Sequence, residues 1–347
     1  MHDSTWIFEK IKKFLKELHS MQPPLAYKNL SKDLLDFAKK GINLNAEKEN
    51  FVVLGYHVFD ISPHHVYLEP DKKDSYFFIN MIYLEFLADI LMYEEYRTDT
   101  TGIYLFSKYM RFFTACEGLQ GYADFFQWLY LNHSDKLEKE AHRFVVPAFS
   151  GIMFALMHEY MHLQSSFLNA TRDLFLSNES MESALKQNGK LDEDVIKETS
   201  CDFTALVSCS DIDIGSVFGL SKIEFLEVAV ISLFLPDFYS YLSKLVDLCK
   251  ENDPCLDIDD MVKKLQSRIV ALGVAVKISQ NTKFYFEDGM IESALKKLTV
   301  FVHYIRWLGN FLMNDYIPYI ESFNSLPDIE REQYRFESTF SDWMLFA

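Results

Sequence analysis

Hydrophobic residues recur every three or four positions through most of the chain, which is the spacing of one apolar face on an α-helix. In the first segment, Trp6, Phe14 and Leu18 share the pattern with lysines on the opposite face. The pattern predicts helices over residues 6–18, 31–40, 76–97, 103–116, 124–133, 148–168, 180–187, 192–209, 223–249, 258–272 and 289–314. Most of the protein is therefore expected to be α-helical.

A second pattern interrupts the helical one near the N-terminus. Residues 51–59 and 64–68 are rich in β-branched and aromatic side chains, a composition typical of strands. Because a Ser62-Pro63 turn lies between the two segments, we predict that they form a β-hairpin. The expected fold class is α+β, mainly α, with a small β-hairpin or sheet and many helices.

Charge and hydropathy argue against a nucleic-acid-binding protein and against a membrane-spanning one. The chain has 347 residues and a formal net charge of −17, from 34 basic and 51 acidic side chains, so we expect no nucleic acid partner. The longest uncharged stretch, 144–157, is too short to span a bilayer, and 225–242 contains Glu227, Pro236 and Asp237. We predict no transmembrane segment.

The N-terminal segment differs in charge from the rest of the chain. Residues 1–48 contain nine basic and six acidic side chains, a net charge of about +3. The amphipathic helix within it is expected either to dock on the acidic body or to make weak contact with an anionic membrane surface. We therefore predict two regions, an N-terminal helical segment at 1–48 and a larger body at 49–347.

The cysteines indicate a reducing compartment. There are five, an odd number dispersed over a long chain, and this does not resemble a disulfide framework. Charged residues at the N-terminus leave no apolar core for a secretory signal. We expect a cytoplasmic protein.

The pattern His-Glu-x-x-His at residues 158–162 carries the strongest chemical signal. On a helix, His158 and His162 lie one turn apart on the same face, so both imidazoles can reach a single Zn²⁺. Glu159 is then placed to act on a water molecule at the metal. A catalytic zinc site needs a third protein ligand, which we expect downstream on a second helix.

A Glu-x-x-x-Asp pair lies further along the chain. The extended metzincin motif is excluded because Ser165 and Leu168 occupy the positions of its Gly and third His. Glu198 and Asp202 share one face of a predicted helix. With these residues the chain resembles the gluzincins, the thermolysin-like zinc metallopeptidases, and it also resembles the Lit-like phage-exclusion proteases.

This resemblance implies a zincin-like core in which His158, His162 and Glu198 bind one Zn²⁺ per chain and Asp202 orients one of the histidines. The orienting role has a physical reason, since a carboxylate that accepts the second ring N–H fixes the tautomer of a ligating histidine. The resemblance also implies a His or Tyr that stabilises the oxyanion. Candidates by residue type are His303, Tyr304, Tyr239 and Tyr241.

Other arrangements of the metal site remain open. Peptide deformylases use an upstream Cys as third ligand, and Cys116 has the right residue type in the wrong motif order. We interpret Cys201 and Cys209 as core thiols rather than ligands. Fallback candidates for the third ligand are Glu179, Glu182 and Asp173, and a second metal site could involve His57, Asp60, His64 and His65.

The sequence thus predicts a zinc metalloendopeptidase acting on a protein or peptide substrate, with a metal-activated water and Glu159 as general base. A substrate strand is expected to pair with the edge of the predicted hairpin. Two alternatives remain: a zinc hydrolase of a non-peptide amide or ester, and a catalytically inactive interaction protein with a structural zinc.

Overall fold

The computed structural model describes residues 50–55, 64–66, 75–162, 165–177, 179, 186–187, 190–191, 193–211, 214–250, 293, 296–297 and 299–336. The predicted helices at 6–18, 31–40 and 258–272, and the predicted N-terminal segment at 1–48, lie outside these residues. The strands are β1 (Asn50–Gly55), β2 (His64–Val66), β3 (Ser75–Asn80), β4 (Lys186–Gln187) and β5 (Lys190–Leu191).

Helices form the rest of the described chain. They are α1 (Met81–Tyr96), α2 (Asp99–Cys116), α3 (Gln120–Ala141), α4 (Val145–Met161), α5 (Ser165–Leu176), α6 (Glu193–Asp211), α7 (Ile214–Val217), α8 (Lys222–Lys244), α9 (Val246–Lys250), α10 (Thr299–Asn310), α11 (Tyr316–Asn324) and α12 (Asp328–Arg331). A π-helical turn, Phe311–Asp315, joins α10 to α11.

The predicted α+β class is wrong: the protein is all-α. Every residue of the hydrophobic core cluster lies between Ile82 and Phe323, in the helices and the turns that connect them. The strands precede α1 or form a two-residue pair. The composition of residues 51–68 favoured a small β-hairpin or sheet and hence the α+β class, but in the described residues the long helices bury the apolar side chains against one another.

The predicted hairpin is also wrong. β1 pairs in parallel with β3, and β2 pairs antiparallel to β3, so the strand order is β1-β3-β2 and β1 and β2 are not neighbours. The central strand, β3, lies in a segment that we predicted to be the start of the helix at 76–97. Its apolar run Tyr-Phe-Phe-Ile has no alternation, and periodicity cannot separate such a run from a buried helix.

The longest described helix, α8, passes through the core. Length and composition alone would allow this helix to cross a membrane, but 78% of its most apolar 18-residue stretch is buried within the protein. Its aromatic residues Phe238 and Tyr239 pack against Phe86 of α1, with ring centroids 5.9 and 5.0 Å away. The helix therefore serves as a core element on which α1 and α4 pack.

Helix α4 crosses α1 and α8 at a close approach. A Cβ added at Gly151 would lie 2.4 Å from Cδ2 of Leu87 and 3.3 Å from Cγ1 of Val228. Only a residue without a side chain fits between the three helices. This contact fixes the position of the metal-motif helix, whose His158 lies two turns further on.

The helix predicted at 148–168 is in fact divided. α4 ends at Met161, and His162 caps it with helical dihedrals of φ −57° and ψ −25°. The next helix, α5, begins at Ser165. Because His162 keeps helical geometry, the one-turn spacing from His158 survives the end of the helix.

Candidate metal centre

Two neighbouring helices place the candidate ligands. His158 and Glu159 lie in the last turn of α4, and His162 is its C-cap. Glu198 and Asp202 lie on α6, which packs against α4. The structure therefore brings together all five residues that the two motifs contribute.

The nitrogen atoms of the two histidines converge on one point. His158 Nε2 and His162 Nε2 are 3.2 Å apart, and the rings meet edge to face. Glu198 reaches the same point, with Oε2 at 3.2 Å from His158 Nε2 and Oε1 at 3.6 Å from His162 Nε2. Three side chains from two helices thus direct ligand atoms to one position.

A metal ion fits this arrangement. The ligand atoms of His158, Glu159 and His162 all lie within 4.8 Å of one another, and this group could hold a metal ion. Two donors bound tetrahedrally to Zn²⁺ at about 2.0–2.1 Å are separated by roughly 3.3 Å. The separations between the two histidines and Glu198 are close to that value, which makes Glu198 a better third donor than Glu159.

The second ring nitrogen of His158 faces a buried carboxylate. Nδ1 is 2.8 Å from Oδ1 of Asp202, and the Asp202 residue is completely buried. At this distance the carboxylate can fix the tautomer in which Nδ1 carries the proton and Nε2 is free for a metal. Of the two histidines, Asp202 contacts His158.

Cys201 makes a contact with His162 that we did not predict from the sequence. Its Sγ is 3.3 Å from Nδ1 of His162, and burial, with the charges of Glu198 and Asp202, raises the pKa of its thiol. We interpreted Cys201 only as a core thiol, and it is indeed fully buried. The available signal was helical spacing, since position 201 follows Glu198 by three residues and shares its face.

A cleft opens beside the candidate ligands His158 and Glu198. It has a volume of about 200 Å³ and is lined by residues of α1, α4, α6 and α8. These residues are Tyr83, Phe154, Ala155, His158, Glu159, Glu198, Ser232, Leu233, Pro236 and Asp237. Because Glu159, His158 and Glu198 line the same cleft, a molecule bound there would meet all three.

A proline inside α8 shapes the wall of this cleft. Pro236 has no N–H to donate to the carbonyl of Ser232, one turn earlier. The hydroxyl of Tyr83 donates to that carbonyl instead, at 2.8 Å and away from solvent. This bond ties α1 to α8 at the cleft and satisfies a carbonyl that the helix leaves without its usual donor.

The candidates for oxyanion stabilisation lie elsewhere. Tyr304 is fully buried in the aromatic core, and its hydroxyl donates to the carbonyl of Gly102 at 3.3 Å. His303 is exposed on α10. Neither residue lines the cleft, and neither do the buried Tyr239 and Tyr241. Among these tyrosines and those of the cleft lining, Tyr83 is the one that the structure brings to the site.

The other candidate ligands are not brought to this centre in the described part of the chain. Cys116 ends α2, and Glu179 and Asp173 are exposed; none of the three lines the cleft. Glu182, His57 and Asp60 lie outside the described residues. His64 and His65 belong to β2, whose backbone alone is described.

Comparison with protein-family models, with curated proteins and with solved structures finds no match for this chain. The resemblance to gluzincins therefore rests on the two motifs alone.

Proposed function

We propose that this protein is a zinc-dependent metallopeptidase of the gluzincin type. The observation that carries the proposal is the convergence of His158 Nε2, His162 Nε2 and a Glu198 oxygen within 3.2–3.6 Å, beside a cleft that Glu159 also lines. Two imidazoles and one carboxylate are the ligand set of thermolysin-like catalytic zinc sites. One Zn²⁺ per chain is expected.

Three protein donors would leave a bound Zn²⁺ one coordination position for water. Three protein ligands are characteristic of catalytic zinc, whereas structural zinc is closed by four. The Glu198 side chain is 43% exposed, which supports access from the cleft to this position. The open position favours a catalytic role over a purely structural one.

Glu159 is the proposed general base. When bound, Zn²⁺ would polarise a carbonyl and lower the pKa of water towards about 7. Glu159 follows the ligand His158 in the chain and lines the cleft beside it. Its carboxylate would accept the proton of the attacking water and deliver it to the nitrogen of the leaving amine.

A protein or peptide substrate is expected to enter as an extended strand. In the described part of the chain, β2 is an edge of the order β1-β3-β2, and it contacts α4. An added strand would form main-chain hydrogen bonds that tolerate many side chains. The edge strand thus takes the place of the predicted hairpin edge in this proposal.

Two less specific proposals concern location. Cys116, Cys201 and Cys209 are free thiols, which supports a reducing, cytoplasmic compartment. The basic residues of segment 1–48 support weak contact with an anionic membrane surface.

The substitution Glu159→Gln tests the function. The amide keeps the size of the side chain but cannot accept the proton, so hydrolysis of a mixed peptide library should fall by about 10²–10⁴-fold. Zinc content by mass spectrometry and the melting temperature should stay near those of wild type, because Glu159 is not a ligand in this proposal. Glu330→Gln, an exposed position on α12, is the matched control.

The outcomes separate the alternatives. Undiminished peptide hydrolysis by zinc-loaded Glu159→Gln would contradict the mechanism. Loss of zinc in that variant would make Glu159 itself a ligand. A wild-type protein that retains zinc, leaves all peptides intact and hydrolyses a simple ester would favour the non-peptide hydrolase.

A further inference from the structure

Each histidine of the metal motif contacts a different residue of α6 through its second ring nitrogen. Nδ1 of His158 faces Asp202 at 2.8 Å, and Nδ1 of His162 faces Sγ of Cys201 at 3.3 Å. Cys201 and Asp202 are consecutive, and Glu198 precedes them by three and four positions. One face of α6 therefore carries a proposed ligand and a partner for each histidine.

The contact of Cys201 has a specific chemical consequence. A neutral imidazole carries one proton, on either Nδ1 or Nε2, and only the nitrogen without a proton can bind a metal. When both Nε2 atoms bind a metal at the point where they converge, each neutral imidazole must carry its proton on Nδ1. An acceptor placed beside Nδ1 favours that tautomer and restricts rotation of the ring.

We propose that Cys201 is a positioning residue that accepts the Nδ1–H of His162 and holds its Nε2 towards the metal. This inference rests on the proposed function, because it assigns a role within the same metal site. Cys201 is fully buried, so water cannot replace the sulfur at this position. The site is then asymmetric, with a carboxylate behind one histidine and a neutral, weakly accepting thiol behind the other.

The chain contains a matched control for packing. Cys209 lies on the same helix, is also completely buried, and is two turns from Cys201. It does not line the cleft. Replacing either cysteine with alanine removes the same buried atom from the same helix, but only the change at Cys201 removes the contact with His162.

The first measurement is the zinc dissociation constant of the full chain, by competition with a chromophoric chelator. We expect Cys201→Ala to bind zinc about 10–100-fold more weakly than wild type, the range for residues that orient a ligand. Cys201→Ser should stay within a few-fold of wild type, since a hydroxyl can accept the same hydrogen bond. Cys209→Ala should bind zinc as tightly as wild type.

The second measurement needs no metal. Long-range ¹H–¹⁵N spectra of ¹⁵N-histidine-labelled, metal-free protein report which ring nitrogen carries the proton. Without metal, Glu198 and His158 can also accept a proton from Nε2 of His162, so the contact is measured as a difference between variants. We expect the share of the Nδ1–H form to be larger in wild type, Cys201→Ser and Cys209→Ala than in Cys201→Ala. If the alanine variant fails to fold, Cys201→Val, which fills a similar volume without an acceptor, takes its place in the comparison.

The results that overturn this inference differ from those that overturn the proposed function. Equal zinc affinities for wild type and Cys201→Ala, equal losses at positions 201 and 209, or equal shares of the Nδ1–H form of His162 in wild type and Cys201→Ala would reduce Cys201 to a packing residue. A wild-type protein that binds no zinc would reject the metallopeptidase proposal, while the tautomer spectra would still test the contact between Cys201 and His162.

Discussion

Two buried aspartates in this protein have opposite surroundings. Asp89 on α1 is 1% exposed, and its Oδ2 lies 2.7 Å from Lys108 Nζ and 2.6 Å from the hydroxyl of Tyr109. Asp202 on α6 is 0% exposed and lies 2.8 Å from His158. The first contact joins two helices inside the core, whereas the second leads through the histidine to an open cleft.

The surroundings of Asp89 and Asp202 distinguish an ionic cluster that stabilises the core from a candidate metal site. Around Asp89 the charges are compensated within the protein. Burial is the largest single influence on Lys108 and lowers its pKa, but the charge and hydrogen bond of Asp89, together with Tyr104 and Glu85, outweigh burial and raise the pKa above its ordinary value, so the lysine stays charged. Asp202 instead contacts Nδ1 of His158, whose Nε2 lies 3.2 Å from Nε2 of His162. A metal ion could bind where these two Nε2 atoms converge.

The largest expected effect is at the proposed metal ligands. Replacing His158 or His162 with alanine leaves two protein ligands, and such a site binds zinc far more weakly than three ligands do. Zinc should fall from about one per chain to none retained after dialysis, as measured by mass spectrometry. His133→Ala on α3 is the control, because His133 contacts the carbonyl of Leu129 in its own helix. Full zinc retention in both ligand variants would reject the metal site.

The next effect concerns the core cluster. Lys108→Met removes the positive partner of Asp89 and leaves a buried carboxylate without its counter-charge. Breaking a buried ion pair on one side destabilises a protein by about 3–5 kcal/mol. Urea unfolding should show this loss while zinc affinity is unchanged. Lys136→Met, at an exposed position on α3, should have little effect; a similar loss there would show that the method does not isolate the pair.

Local spacing explains what could be predicted from sequence. His158 and His162 are one helical turn apart, as are Glu198 and Asp202, so each pair could be placed on one face without knowledge of the fold. The helices α2 and α6 were likewise predicted within a few residues. Helix α2 begins earlier than expected because Thr98 and Thr101 form a capping box.

Contacts between distant segments could not be predicted in this way. The pairing of β1 with β3 was missed because the apolar run of β3 lacks alternation. Tyr83 meets the carbonyl of Ser232 across 149 positions of the sequence, and no periodicity encodes that bond. Asp202 contacts His158 and Cys201 contacts His162 because of the way α4 crosses α6. These partners could therefore be identified only from the structure.

The smallest predicted effect comes from matched substitutions of the two aspartates. Asp202→Asn keeps an oxygen near Nδ1 of His158 but removes its charge, so the imidazole becomes a poorer ligand. Zinc should bind about 10-fold more weakly, at the lower end of the range for such partners because the amide oxygen can still accept. The dissociation constant by chelator competition is the measurement.

Asp89→Asn is the matched substitution with which Asp202→Asn is compared. It removes a charge from an equally buried position, but Asp89 contacts Lys108, Tyr104 and Tyr109 rather than a metal ligand. Its effect should therefore be a lower urea midpoint with unchanged zinc affinity. If both substitutions weakened zinc equally, the loss at Asp202 would reflect general loosening of the fold. If neither changed zinc binding, the carboxylate behind His158 would contribute nothing to the metal, and the contrast between the two aspartates would fail.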